Sequence, residues 1–375
     1  MSYKKIKIIF LPYKLHFRYF LFELANRNEV AVFLPPEKSL PLETNLKGLQ
    51  ISYRQFGINL IKNLISNELR TQKYVKNFSK ILNAEKPDVL ITCEFYHWYT
   101  LQSLLYKKQN PRLQLFVVSE TKQWPKNFLA RQIKKLVFAY FKLNNRYVDA
   151  MLVYTEQARD FLANHMSYMK TVLVPAPIDT DLFCPNAERV FFKDNTLNIL
   201  FNARYSAYKR HGDLFAAITK LTQKGYKIKL TCISRDNKGL DYVKKLAHTS
   251  GLQDIIAFKT AMPLSEMPAL YSDHDILILP SYNEAIGMVV PEAMSCGRAT
   301  VTSDTVGANV YVRNGVTGFI FKTGDINSLA KTLEKCFDQN RLERMGAAAR
   351  TNIVTNYTAD KTVKKLETIL NIKGH

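Results

Sequence analysis

Short apolar runs of β-branched and aromatic residues recur along this chain, each followed by a stretch with helical spacing. The cycle halts at a Pro- and Asp-rich segment and then starts again, which constrains the fold more than any other feature. The runs at 5–11, 29–35, 49–55, 88–94, 114–120, 150–156 and 171–175 are continuous and not alternating, as parallel strands covered on both faces are. Helical patterns at 17–28, 58–84, 97–110 and 128–145 separate them. After VPAPIDTDLFCP (174–185) strand patterns resume at 197–204, 227–234, 255–259, 275–280, 299–304 and 318–322. Two successive βα repeats predict an α/β protein of two doubly wound, Rossmann-like domains, 1–180 and 190–357, with the boundary inside 176–195. The last pattern, 358–371, sets Val363, Leu366 and Leu370 at helical spacing. A terminal helix within 358–375 therefore has an apolar face that needs a partner.

Length supports this division: 375 residues are enough for two domains, each with its own core. No apolar run approaches the roughly 18–20 residues of a membrane helix, and residues 1–10 read as a first strand, not a signal peptide. The five cysteines are scattered with no CxxC pair, the pattern of reduced thiols in a cytoplasmic protein. Charge is the outlier. The formal net charge is +21, and residues 101–150 hold ten basic and two acidic side chains. Such a field attracts phosphorylated ligands, acidic lipid surfaces or nucleic acid.

The chemistry concentrates in the second half. The strand DILILP (275–280) ends in the loop SYNEAI, and Gly287 then opens the helical stretch GMVVPEAMSCG. Pro291 belongs in or near a first helical turn, and Gly297 stops the helix. A helix N-terminus at the carboxyl end of a parallel strand suits a diphosphate, held on the amides of Gly287, Met288 and Val289. Glu284 and Glu292 bracket this start and can accept hydrogen bonds from sugar hydroxyls; the alternative is a solvated loop residue and a helix cap. A second cluster, NARYSAYKR (202–210), follows the first strand of the second domain. Its Arg204 and Lys209 are placed to neutralise a departing diphosphate.

In this order the residues resemble the retaining GT-B glycosyltransferase family 4. The resemblance is carried by Arg204 with Lys209, by EAIGMVVPEAMSCG from Glu284 through Glu292, and by the turn Asn314-Gly315-Val316-Thr317-Gly318 followed by Gly324-Asp325. PIDTDLF (177–183) looks like the family's interdomain segment. The resemblance implies a GT-B fold, its two Rossmann-like domains facing a cleft and its last helix crossing back to the first domain. It implies that Arg204 and Lys209 bind the donor pyrophosphate and that Glu284 contacts the transferred sugar. The backbone from Ile286 through Gly287 and Met288 to Val289 would hold phosphate and sugar, Glu292 the ribose, and residues 258–262 would lie near the base. Retention without a metal ion follows from the same likeness. No cofactor is expected beyond a UDP- or GDP-sugar donor.

Several positions depart from the family's pattern. The loop after the first strand, LPYKLHF (11–17), has no glycine, Asn202-Ala203 replaces the glycine of the usual Gly-Arg pair ahead of the cationic loop, and Ser234-Arg235-Asp236-Asn237 replaces a glycine turn. Where much of the family has a histidine, a first-domain strand ends Val118-Ser119-Glu120-Thr121. Glu120 is the candidate near the anomeric centre or the acceptor hydroxyl, with Glu94, His97 and His16 as alternatives.

FLARQIKKLVFAYFKLNNRY (128–147) mixes Arg131, Lys134, Lys135, Lys142 and Arg146 with large apolar residues. It reads either as a basic amphipathic helix on the inner membrane surface, serving a lipid-linked acceptor, or as an ordinary helix packed on its sheet. The expected function is transfer of a sugar to a hydroxyl acceptor, with no nucleic acid as partner. Two other readings are a nucleotide-sugar 2-epimerase of the same fold and a basic nucleic-acid-binding protein, for which no recognition motif is present.

Overall fold

The structure is a computed structural model that describes residues 6–11, 18–34, 46–50, 53–57, 71–125, 127–186, 191–192, 195–260 and 262–370. The chain divides into two compact units, Met1–Pro177 with Ala359–His375, and Ile178–Thr358.

Unit 1 is built on a seven-stranded parallel sheet. Its strands are β1 (Lys7–Leu11), β2 (Glu29–Leu34), β3 (Lys47–Gln50), β6 (Val89–Cys93), β7 (Gln114–Ser119), β8 (Ala150–Val153) and β9 (Thr171–Leu173), in the order β3-β2-β1-β6-β7-β8-β9. The order reverses between β1 and β6, the signature of a doubly wound sheet. Every residue of β6 is buried, as a strand covered on both faces requires.

The region after β3 differs from the expectation. The single strand predicted at 49–55 is two, β3 and β4 (Tyr53–Gly57), and β5 (Thr71–Val75) falls inside the helix predicted at 58–84. β4 and β5 form an antiparallel pair of their own, Tyr53 opposite Val75 and Gly57 opposite Thr71. Helical spacing in this stretch lost to tertiary bonding: the Gln102 side chain accepts from the Val75 amide (2.9 Å) and donates to its carbonyl (2.8 Å). Gln102 so supplies the edge partners that a helix would have supplied internally. The helix itself is confined to Phe78–Glu85.

The terminal helix, Ala359–Ile369, belongs to unit 1. Val363, Leu366 and Leu370 are each at most 2% exposed. Polar bonds fix its register against the helix Arg18–Arg27: Arg27 pairs with Asp360 and Glu367, and the Asn28 amide donates to Glu367 (3.1 Å).

Unit 2 carries a six-stranded parallel sheet, β10 (Leu197–Asn202), β11 (Ile228–Ile233), β12 (Ile256–Lys259), β13 (Ile276–Leu279), β14 (Ala299–Ser303) and β15 (Gly318–Phe321), ordered β12-β11-β10-β13-β14-β15. Its reversal falls between β10 and β13. The stretch from Ile178 to Phe183 is held wholly within this unit. The Ile178 amide donates to the Tyr357 carbonyl (2.8 Å), and Arg350 donates to the carbonyls of Thr180 (3.1 Å), Phe183 (2.8 Å) and Ser295 (3.0 Å). One guanidinium thus binds three carbonyls at once, and the Phe183 carbonyl also accepts from the Ser295 hydroxyl (2.6 Å).

Candidate functional site

The carboxyl ends of β10 and β13 are adjacent because the strands pair directly, Ile199 opposite Ile276 and Leu200 opposite Leu277. In an open α/β sheet the loops beyond such a reversal splay apart and leave a crevice. Both clusters singled out in the sequence emerge there.

The cationic loop leaves β10 and is pinned from below. The Tyr205 hydroxyl donates to the carbonyls of Cys232 (3.1 Å) and Lys259 (3.3 Å), at the ends of β11 and β12, and its burial raises the phenol to about 12. Gly239 has φ +83°, and a Cβ there would stand 2.2 Å from the Tyr205 carbonyl oxygen. Only glycine allows that approach. A 3₁₀ turn, Ala207–Lys209, follows, and Arg210 takes left-handed φ (58°) with its guanidinium on Asp213 (2.7 Å). Arg204 is exposed, whereas Lys209 is half-buried and turned towards the second loop.

The second loop leaves β13. The Tyr282 amide donates to the Tyr208 carbonyl (2.8 Å), stitching the two loops together. Glu284 makes a backbone bridge with Val306, and its carbonyl accepts from the Gly307 amide (3.0 Å). Fixed in this way, the Glu284 carboxylate forms an ion pair with Lys209. Gly287 follows at φ +80°, with the Glu284 Cγ 3.1 Å and a Leu279 methyl 3.2 Å from where a Cβ would be. The backbone therefore passes directly beneath the Glu284 side chain. The helix is Val289–Ser295, two residues later than the predicted start at Gly287, with Pro291 in its first turn.

Glu292 lies on the far side of the same helix start. Its carboxylate accepts from the Tyr271 hydroxyl (2.7 Å), and Tyr271 in turn accepts from the Asn202 amide (3.3 Å) at the end of β10. Tyr271 is 1% exposed, and burial with the adjacent carboxylate raises its phenol well above the ordinary value. Asn202, one of the two residues that stand in place of the family's glycine, is thus a member of the Glu292 network. Tyr271 carries no motif and could not have been singled out from spacing; Asn202 could, by that replacement.

Unit 2 therefore brings together Arg204, Lys209, Glu284, Ile286, Gly287, Met288, Val289 and Glu292 around one strand-end crevice. The glycine turn has a structural account. The Gly315 amide donates to the Gly318 carbonyl (2.8 Å), Thr317 accepts from the Arg313 amide (2.8 Å), and Asp325 caps the helix Ile326–Glu334 through the Ser328 amide (2.8 Å).

The first-domain candidates lie in unit 1. Glu120 follows β7 and is partly exposed. The more deeply held carboxylate is Glu94, at the end of β6: it is 5% exposed and has φ +61°. It accepts from the Glu120 amide (2.7 Å) and from the hydroxyls of Ser119 (3.0 Å) and Thr121 (3.3 Å). Lys134, expected on the outward basic face of its helix, points inward instead. It is 3% exposed, donates to the Thr121 hydroxyl (3.2 Å) and lies over the rings of Phe95 and Tyr96. Its position four residues after Ala130 puts it on the buried stripe. His97 precedes the helix Trp98–Gln109 with no side-chain cap bond, and its ring packs at a tilt against those of Tyr96 (4.8 Å) and Tyr99 (4.9 Å). His16 lies outside the described residues.

Two doubly wound parallel sheets, with the terminal helix returned to the first, define the GT-B glycosyltransferase fold. Sucrose-phosphate synthase from Thermosynechococcus elongatus superposes with a TM-score of 0.74 at 16% identity over 98% of both chains. Anabaena HepE, crystallised in complex with UDP, gives 0.77 at 16% over 98% of this chain and all of its own, 100%. The family description "Glycosyl transferases group 1" matches residues 186–352. Curated relatives are D-inositol 3-phosphate glycosyltransferases. That of Corynebacterium aurimucosum is 28% identical over 217 residues, 54% of this chain and 52% of its own. That of Mycolicibacterium smegmatis is 28% identical over 201 residues, 51% and 46%. The chain spans about half the length of the curated relatives it matches.

Proposed function

We propose that the protein is a retaining glycosyltransferase that moves a sugar from a nucleotide-diphosphate sugar to a hydroxyl acceptor without a metal ion. The observation that carries this reading is the Lys209–Glu284 ion pair held over Gly287 at the sheet reversal. A cation and a carboxylate neutralise each other until a diphosphate arrives; the ligand then takes the Lys209 ammonium, and Glu284 is released to accept from sugar hydroxyls. Arg204 and the amides from Ile286 to Val289 complete the anion seat, and Glu292, oriented by Tyr271, meets the ribose.

In the proposed front-face step the acceptor oxygen bonds the anomeric carbon on the side from which the diphosphate leaves. The carbon–oxygen bond to the diphosphate breaks with its electron pair, and the acceptor proton passes to the departing oxygen. Arg204 and Lys209 stabilise the charge that develops there. Glu120 is assigned to the acceptor side, held by its backbone bond to Glu94. The 2-epimerase and nucleic-acid readings gain no support from the comparisons.

Uridine diphosphate, bound by HepE, is the first donor nucleotide to try, with GDP-sugars beside it. Lys209→Ala and Glu284→Ala are each expected to lower turnover by about 100-fold or more, the scale of losing a charge-stabilising group, with circular dichroism unchanged. Rates near wild type in either variant would remove that residue from the mechanism.

A further inference from the structure

The helix Phe128–Leu143 is amphipathic in an unusual sense: both of its faces are apolar in part. Ala130, Lys134, Phe138 and Phe141 are buried on the sheet side. On the other side Phe128 is 75% exposed, Leu136 71% and Leu143 82%, with Leu129 at 37%. Leu129, Leu136 and Leu143 are spaced by seven residues, so they form one row of roughly 21 Å along the helix at 1.5 Å per residue. Beside it Arg131, Lys135 and Lys142, all exposed, form a second row, and Arg146 follows just beyond the helix with its guanidinium over the Tyr147 ring.

Leu136 and Leu143, with the less exposed Leu129 in line with them, are costly for a surface that meets only water, and the charge around them is of one sign. Residues 121–148 contain seven basic side chains and no acidic one. A bilayer with anionic headgroups offers the complement of both rows at once: acyl chain for the leucines, phosphate for the cations. No helix among the described residues is long and apolar enough to cross a membrane, so contact would be made lying in the interface.

We infer that the outward face of Phe128–Leu143 docks the protein on an anionic lipid surface. Leu129, Leu136 and Leu143 enter the acyl boundary while Arg131, Lys135 and Lys142 sit at the headgroups. The inference does not depend on the donor chemistry of unit 2. Flotation of the full chain with vesicles tests it. The wild type is expected to float with phosphatidylglycerol–phosphatidylcholine vesicles and not with pure phosphatidylcholine. Binding should weaken in roughly 0.5 M NaCl, where the Debye length falls to about 4 Å. Leu136→Glu with Leu143→Glu, both at exposed sites, should lower partitioning by about 10-fold or more, and so should Lys135→Glu with Lys142→Glu. The inference is overturned if the leucine variant floats as the wild type does, or if neutral vesicles bind equally well. It is likewise overturned if sedimentation shows a self-association that the leucine substitutions abolish, since the face would then belong to a second copy.

Discussion

His211 opens the helix His211–Thr222 directly behind Lys209, 3% exposed, with its ring 4.4 Å from that of Phe201 and 5.7 Å from that of Tyr205. Burial, reinforced by the neighbouring Lys209 charge, lowers its pKa from 6.5 to about 4. The imidazole is therefore neutral when folded, while the unfolded chain takes up a proton below its ordinary value. The contribution is fully present above pH 6.5 and is lost as pH falls through the window from 6.5 to about 4. That loss reaches about 3 kcal/mol at the acid end. His211→Phe keeps an aromatic ring among its neighbours and has no proton to gain. Its urea midpoint is expected to fall less than that of the wild type between neutral pH and pH about 4.5; parallel declines would show that the ring is not the titrating group. At this scale the motif residues were legible because glycines, cations and carboxylates have few roles at strand ends. Their supports were not. Tyr271 under Glu292 and Tyr205 under the cationic loop look in sequence like any buried aromatic, and their function exists only through partners more than twenty residues away.

Elements were legible where apolar periodicity and burial agree. The strand at 275–280 and the helical pattern at 128–145 correspond to β13 and to Phe128–Leu143, since one lies in the middle of a sheet and the other has a continuous buried stripe. Agreement failed at Thr71–Val75, where the Gln102 amide outweighs the local preference of the chain. The terminal helix gives the sharper test of how an element is held. Val363 is 0% exposed, while Lys365 is exposed on the same helix. Val363→Asp places an unpaired carboxylate among apolar neighbours and should destabilise unit 1 by about 3 kcal/mol or more. Lys365→Ala should stay within about 0.5 kcal/mol of wild type. Denaturant unfolding of both variants checks the pair, and an equal effect would mean that the helix is not seated by its apolar face.

At the scale of the whole molecule the two sheets share a winding but not a chemistry. Both reverse beside their first strand, β1 with β6 and β10 with β13. Beyond the reversal in unit 2 come a cationic loop and a glycine under a carboxylate. In unit 1, among the described residues, the buried Glu94 accepts from the Glu120 amide and two hydroxyls. The sequence repeat made the two sheets legible, whereas this difference appears only once side chains have partners. It predicts where a nucleoside diphosphate acts. A ligand that binds only the folded state stabilises it by about 2.7 kcal/mol at a hundred times its dissociation constant. Local opening slows where the bound contacts form. In amide hydrogen exchange with saturating UDP or GDP, protection should rise in the segments following β10 and β13, around Arg204 to Lys209 and Glu284 to Glu292. The segments after β6 and β7, around Glu94 and Glu120, should change little. Protection confined to the latter would move the anion seat to unit 1, and the ion pair of Lys209 with Glu284 would then be a structural bond of the second sheet.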